Sequence, residues 1–139
     1  RLTCDSGDVY LADTVRELRL WYRAAPLAFV GGSISAAGGH NPLEPARLGA
    51  AVLHGPGMAS FAEIARDMTA TGASRVVADA ADLAAAVAEL LAPPSVAREQ
   101  MARAARTYAE SQADILPRVA AALDPLLRRA GIVGAVQPA

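Results

Sequence analysis

The chain has 139 residues, 53% of them hydrophobic and only 4% aromatic, with a net charge of −1; that length predicts one domain with room for a real core. Every basic residue is an arginine, balanced by acids, so no general positive field draws in nucleic acid and any phosphate recognition must be local. Cys4 is the single cysteine, which excludes an internal disulfide and a cysteine-based zinc cluster, and no signal peptide or membrane-spanning segment is visible.

Residues 1–8 read as a loop, and Val9-Tyr10-Leu11-Ala12 as a short first strand. Asp13 or Thr14 then caps a helix, with Glu17 three residues after Thr14 in capping-box position. Leu18, Leu20, Trp21 and Ala24-Ala25 form its apolar side, and Pro26 stops it. Leu27-Ala28-Phe29-Val30 is a buried strand leading into Gly31-Gly32-Ser33 and then Gly38-Gly39-His40-Asn41-Pro42-Leu43-Glu44-Pro45. The four glycines permit positive φ and close backbone approach. A strand, a glycine-rich loop and a short helix together make the place where an α/β protein holds an anion, because free N–H groups and the helix dipole converge there.

With Asn41 as N-cap, Pro42 falls at the first helical position, where its missing N–H costs nothing. The alternative is a helix that starts at Pro45. Either way the amides of Gly39, His40, Asn41, Leu43 and Glu44 are poorly committed to a helix and need a side chain, a water or a ligand. Two readings of Glu44 compete: the far half of a capping box with Asn41, or a carboxylate that accepts from ribose hydroxyls.

Ala51-Val52-Leu53-His54 is the next strand, ended by Gly55-Pro56-Gly57. His54, after an apolar run, reads as structural; His40, in the loop, has a stronger claim on a ligand. Two histidines without an acidic cluster do not make a metal site. Residues 59–70 form a helix with Phe61, Ile64, Ala65 and Met68 on one face and Gly72 as its cap. Arg75-Val76-Val77-Ala78 is a fourth strand. Residues 79–91 are an amphipathic helix broken by Pro93-Pro94, and Ser95 caps another. Arg98, Arg103 and Arg106 on that helix are explained more cheaply by a solvated face than by a phosphate patch. Residues 114–130 form a last helix, interrupted near Pro117. Four strands alternating with helices predict an α/β fold with a doubly wound parallel sheet, its ligand beyond the carboxyl ends of the strands.

Gly31-Gly32-Ser33, a short spacer and Gly38-Gly39-His40-Asn41-Pro42-Leu43-Glu44-Pro45-Ala46 closely resemble the 3-deoxy-D-manno-octulosonic acid (Kdo) transferases of lipopolysaccharide synthesis. Asp13-Thr14-Val15-Arg16-Glu17-Leu18 resembles that family's Asp-Thr-Met-Gly-Glu-Leu, and Ala28 to Ser33 and Gly55-Pro56 match in order. Arg16 departs from the family's usual glycine, and Ser60 from its frequent asparagine.

The resemblance implies the Rossmann-like, C-terminal donor-binding half of a GT-B glycosyltransferase, with residues 1–139 as a soluble piece of a longer two-domain enzyme. It places CMP-Kdo against Val15, Arg16 and Glu17 and against Gly38, Gly39, His40, Asn41, Pro42, Leu43 and Glu44. Glu44 would hold the ribose, and the loop amides the phosphate. No metal or other cofactor is expected. The general base and the site for the partner lipid A precursor are expected in an N-terminal domain at the cytoplasmic face of the inner membrane, so no catalytic residue is assigned in this chain. An Arg-His-Pro segment is expected upstream of Arg1.

The alternatives are a stand-alone nucleotide-binding module and another GT-B enzyme, such as a nucleotide-sugar epimerase. A NAD dehydrogenase and a P-loop fit poorly, since neither Gly-x-Gly-x-x-Gly after the first strand nor Gly-Lys-Ser/Thr occurs.

Overall fold

A computed structural model describes residues 10–13, 16–113 and 115–131. Its elements are α1 (Leu18–Ala24), β1 (Leu27–Val30), α2 (Leu43–Arg47), β2 (Ala51–His54), a 3-10 turn (Ala59–Phe61), α3 (Ala62–Ala70), β3 (Ser74–Val76), α4 (Ala80–Leu91), α5 (Val96–Ser111) and α6 (Ile115–Arg129). The three strands form one parallel sheet in the order β1-β2-β3, with Leu27 opposite Ala51 and Val52 opposite Ser74.

β2 is central and buried along its whole length, which is why it reads as an unbroken apolar run. Successive side chains of each strand serve opposite faces. On one face Val30 and Val52 meet Ala46 of α2, Met68 of α3 and Ala105 and Ala109 of α5. On the other, Leu53 and Val77 meet Ala86 and Leu90 of α4, with Phe29 packed against them. Leu53 is fully buried, and its truncation to alanine would cost about 2–5 kcal/mol. Helices therefore cover both faces, as in a doubly wound sheet, while the strand order advances in one direction across these three strands.

The first predicted strand is not part of the sheet. Tyr10 makes an isolated bridge and stacks on Trp21 of α1, ring centroids 4.7 Å apart, which lays the segment against a helix; Val9 lies outside the described residues. The α1 helix is also shorter than predicted. Arg16 has φ of +82°, outside the helical region, so the helix begins only at Leu18. Glu17 is the N-cap residue of α1; Thr14, its partner in the predicted capping box, lies outside the described residues.

Later elements follow their local signals. Asp79 caps α4 by accepting from the amides of Ala81 and Asp82, and Ser95 caps α5 by accepting from Arg98 N–H. Gly72, at φ of +70°, follows the Thr71 cap of α3 in the left-handed conformation common after helix ends. The predicted break near Pro117 is absent. That proline lies in the first turn of α6, where an N–H has no intrahelical partner to lose, and Pro125 sits inside the helix. No single helix among the described residues is long and apolar enough to cross a membrane.

Candidate functional site

The glycine-rich loop leaves the carboxyl end of β1 and returns as α2. Gly32, Gly38 and Gly39 have φ of +72°, +84° and +71°, so the expected left-handed positions are real. Their surroundings differ from the expectation. A Cβ on Gly38 would lie 2.8 Å from Ser60 Oγ, and one on Gly39 would collide with Met58 Sδ. Both glycines make room for the segment between β2 and α3. The loop is also bonded to that segment: Ser60 N–H donates to Gly38 O at 3.0 Å, and Gly39 N–H turns back to Gly32 O at 3.3 Å.

The N-cap of α2 is Pro42 in place of the predicted Asn41, which stands one residue outside the helix but still bonds to its first turn. Asn41 Oδ1 accepts from Leu43 N–H at 3.0 Å, and α2 starts at Leu43, two residues ahead of the alternative start at Pro45. Pro42, Leu43, Pro45 and Ala46 are buried, so α2 turns its apolar side to the core and presents Glu44 outward. The Glu44 carboxylate makes no hydrogen bond among the described residues, and the capping-box reading fails on that half. The amides of His40, Asn41 and Glu44 likewise have no acceptor among the described residues. His40 is exposed.

α1, which follows the first predicted motif, packs against α2. Tyr22 of α1 is half-buried, and its phenol pKa is raised from 10.0 by burial first and by the Glu44 carboxylate second. Arg16 and Glu17 stand at the exposed start of α1; Val15 lies outside the described residues.

His54 has the structural role expected of it. It is buried, and its Nδ1–H donates to Gly55 O at 2.8 Å. Its Nε2 lies 3.2 Å from Ser74 Oγ and 3.4 Å from Thr69 Oγ1, whose own proton goes to Ala65 O. Ser74 is therefore the donor to Nε2. The three arginines of α5 do not form a patch. Arg98 donates to Leu90 O and Arg106 pairs with Glu110, leaving Arg103 on the exposed face. No group of acidic, histidine or cysteine side chains among the described residues is arranged to hold a metal ion.

Sequence reasoning missed a largely apolar cavity of about 650 Å³ at the carboxyl ends of β2 and β3, lined by His54, Pro56, Met58, Arg66, Thr69 and Val76. Gly55-Pro56 marks its rim, but nothing local to the sequence announces the other walls.

A parallel sheet covered by helices on both faces, with a glycine-rich loop and uncommitted amides at its carboxyl edge, is the architecture of one half of a GT-B glycosyltransferase. The chain is homologous to the 3-deoxy-D-manno-octulosonic acid transferases, and corresponds in fold to the C-terminal domain of one of them. It is 38% identical over 120 residues to the transferase of Bordetella pertussis, which takes in 86% of this chain and 28% of that protein. It is 33% identical over 125 residues to the transferase of Haemophilus influenzae, 90% of this chain and 29% of that protein. The chain thus spans less than a third of the length of these curated relatives. The crystal structure of the C-terminal CMP-Kdo binding domain of WaaA from Acinetobacter baumannii superposes with a TM-score of 0.67 at 36% identity, covering 71% of this chain and 51% of that one. No family model matches the chain.

Proposed function

We propose that this chain is the CMP-Kdo-binding half of a two-domain Kdo transferase, which moves Kdo from CMP-Kdo to a lipid A precursor at the cytoplasmic face of the inner membrane. One observation carries the reading. The unbonded amides of His40, Asn41 and Glu44 and the outward Glu44 carboxylate lie close in sequence where the loop after β1 enters α2. A nucleoside monophosphate offers the matching groups, phosphate oxygens for the amides and ribose hydroxyls for the carboxylate. The similar Acinetobacter domain, a CMP-Kdo binding domain, supports the same ligand.

In this reading Glu44 holds the ribose and the amides around His40 and Asn41 hold the phosphate. Stabilising the charge on CMP as it leaves lowers the barrier to transfer without a metal ion. Val15, Arg16 and Glu17 would complete the wall from the α1 side. The general base and the lipid acceptor would be supplied by the other half, in keeping with relatives more than three times as long.

The chain alone should therefore bind CMP weakly, near 1 mM or about −4 kcal/mol, and better than UMP or AMP. Chemical-shift titration with the three nucleotides tests this: shifts at residues 38–44 with CMP are expected, and a preference for AMP or silence at those amides refutes the site. The chain should form no Kdo-lipid product from CMP-Kdo and a lipid A precursor. Turnover by the purified chain would overturn the half-enzyme reading.

A further inference from the structure

Ser33 is a polar residue with no exposed surface, where the glycine-rich loop crosses the exit of β2. Its hydroxyl donates to Val30 O and accepts from Gly55 N–H at 2.7 Å, and its carbonyl accepts from Gly57 N–H at 2.7 Å. From the other side His54 Nδ1–H holds Gly55 O at 2.8 Å, while Nε2 is anchored to Ser74 of β3. Gly55 is thus gripped at both its N–H and its carbonyl. The fit leaves no space for side chains. A Cβ on Gly55 would collide with Ser33 O, and one on Gly57 would lie 2.6 Å from Ser35 O.

The far end of the loop is tied to the same segment, through Ser60 N–H to Gly38 O and through the packing of Gly39 on Met58. Residues 55–60 are therefore the template on which residues 31–39 are laid. The amides of His40 and Asn41 follow directly in the chain. Buried hydroxyl, imidazole and amide groups are tolerated here because nearly every one is bonded; removing one partner leaves the other desolvated and free to move.

We propose that Ser33 and His54 are positioning residues for nucleotide binding: acting through Gly55, they set the loop so that the His40 and Asn41 amides point at the ligand phosphate. This rests on the site reading given above. Neither residue touches the nucleotide.

The test is CMP affinity of the 139-residue chain by chemical-shift titration, each variant held below its own unfolding midpoint. Ser33→Ala should weaken CMP about tenfold or more, as small misplacements of a binding loop do. His54→Leu should do the same. His54→Asn, whose amide nitrogen falls near the place of Nδ1 and can donate to Gly55 O, should restore affinity. Ser95→Ala supplies the control: it removes the cap of α5 and lowers stability, yet should leave CMP affinity unchanged. A folded Ser33→Ala that binds CMP like the parent chain overturns the proposal, as does an equal loss in Ser95→Ala. Should Ser33→Ala fail to fold, the His54 pair decides, and equal binding by the Leu and Asn variants overturns it. A parent chain that gives no CMP shifts at residues 38–44 refutes the site reading itself and the proposal with it. Parent binding with indifferent variants refutes only the positioning role.

Discussion

Gly39 packs directly on Met58: a Cβ at position 39 would run into Met58 Sδ and lie 3.3 Å from Gly57 O. Met58 is itself buried and cannot simply swing into water. From sequence alone, Gly39→Val would be expected to block a ligand while leaving the fold intact. The packing predicts a different outcome. The left-handed backbone at φ of +71° costs a β-branched residue about 1–3 kcal/mol, and overfilling the contact costs about 1–3 kcal/mol more. Gly39→Val should therefore lower the midpoint of chemical denaturation substantially, before any ligand is added. A variant as stable as the parent would show that the loop relaxes away from Met58.

Glu44 carries a cleaner prediction, because its carboxylate is not used in a cap. Glu44→Ala and Glu44→Gln should each leave stability within about 0.5 kcal/mol of the parent. The parent should prefer CMP over its 2′,3′-dideoxy analogue by about 1.5–3 kcal/mol, the range for hydrogen bonds to a charged group. Both variants should lose most of that preference. If they discriminate as well as the parent, the ribose contact lies elsewhere, with Glu17 the next residue to test.

Tyr22 reports on Glu44 without any ligand. Its phenol pKa lies above 10.0, through burial first and the Glu44 carboxylate second. The unfolded chain thus ionises first as pH rises. The contribution of Tyr22 to stability is complete below pH 10.0 and is lost as pH climbs through the higher folded value. Glu44→Gln should move the folded pKa part of the way back toward 10.0, since burial remains. Phenolate absorbance, taken as a difference from Tyr22→Phe, measures it; an unmoved midpoint would uncouple the two residues.

Arg16 is the one non-glycine residue at positive φ among the described residues. Arg16→Gly should relieve about 1–3 kcal/mol of backbone strain, offset by about 0.4–1 kcal/mol of added freedom in the unfolded chain. A net gain near 1 kcal/mol is expected, read as a higher midpoint in urea. A loss of stability would mean that the arginine side chain compensates for its own backbone.

Much of the fold was legible locally. Leu27–Val30 and Ala51–His54 are strands at the predicted bounds, because a parallel strand buried on both sides must be a short apolar run. Ser95 caps where it was expected, because a cap is decided by the amides two or three residues away. The motif resemblance likewise located the homologous family, since ordered strings of glycine, proline and asparagine record a backbone path.

What only tertiary structure decided lies across long sequence separations. The sequence shows that Gly38 and Gly39 need freedom; it does not show that Met58 and Ser60 fill the space beside them. Ser33 reads as one more loop serine until Gly55, 22 residues later, is found on its hydroxyl. Glu44 reads as a cap or as a ligand, because a carboxylate at that position can serve either role. Only the placement of α2 against the core, with Leu43 and Ala46 turned inward, shows the carboxylate facing out. Local propensity sets where the chain turns, and packing between distant segments sets what each turn is for.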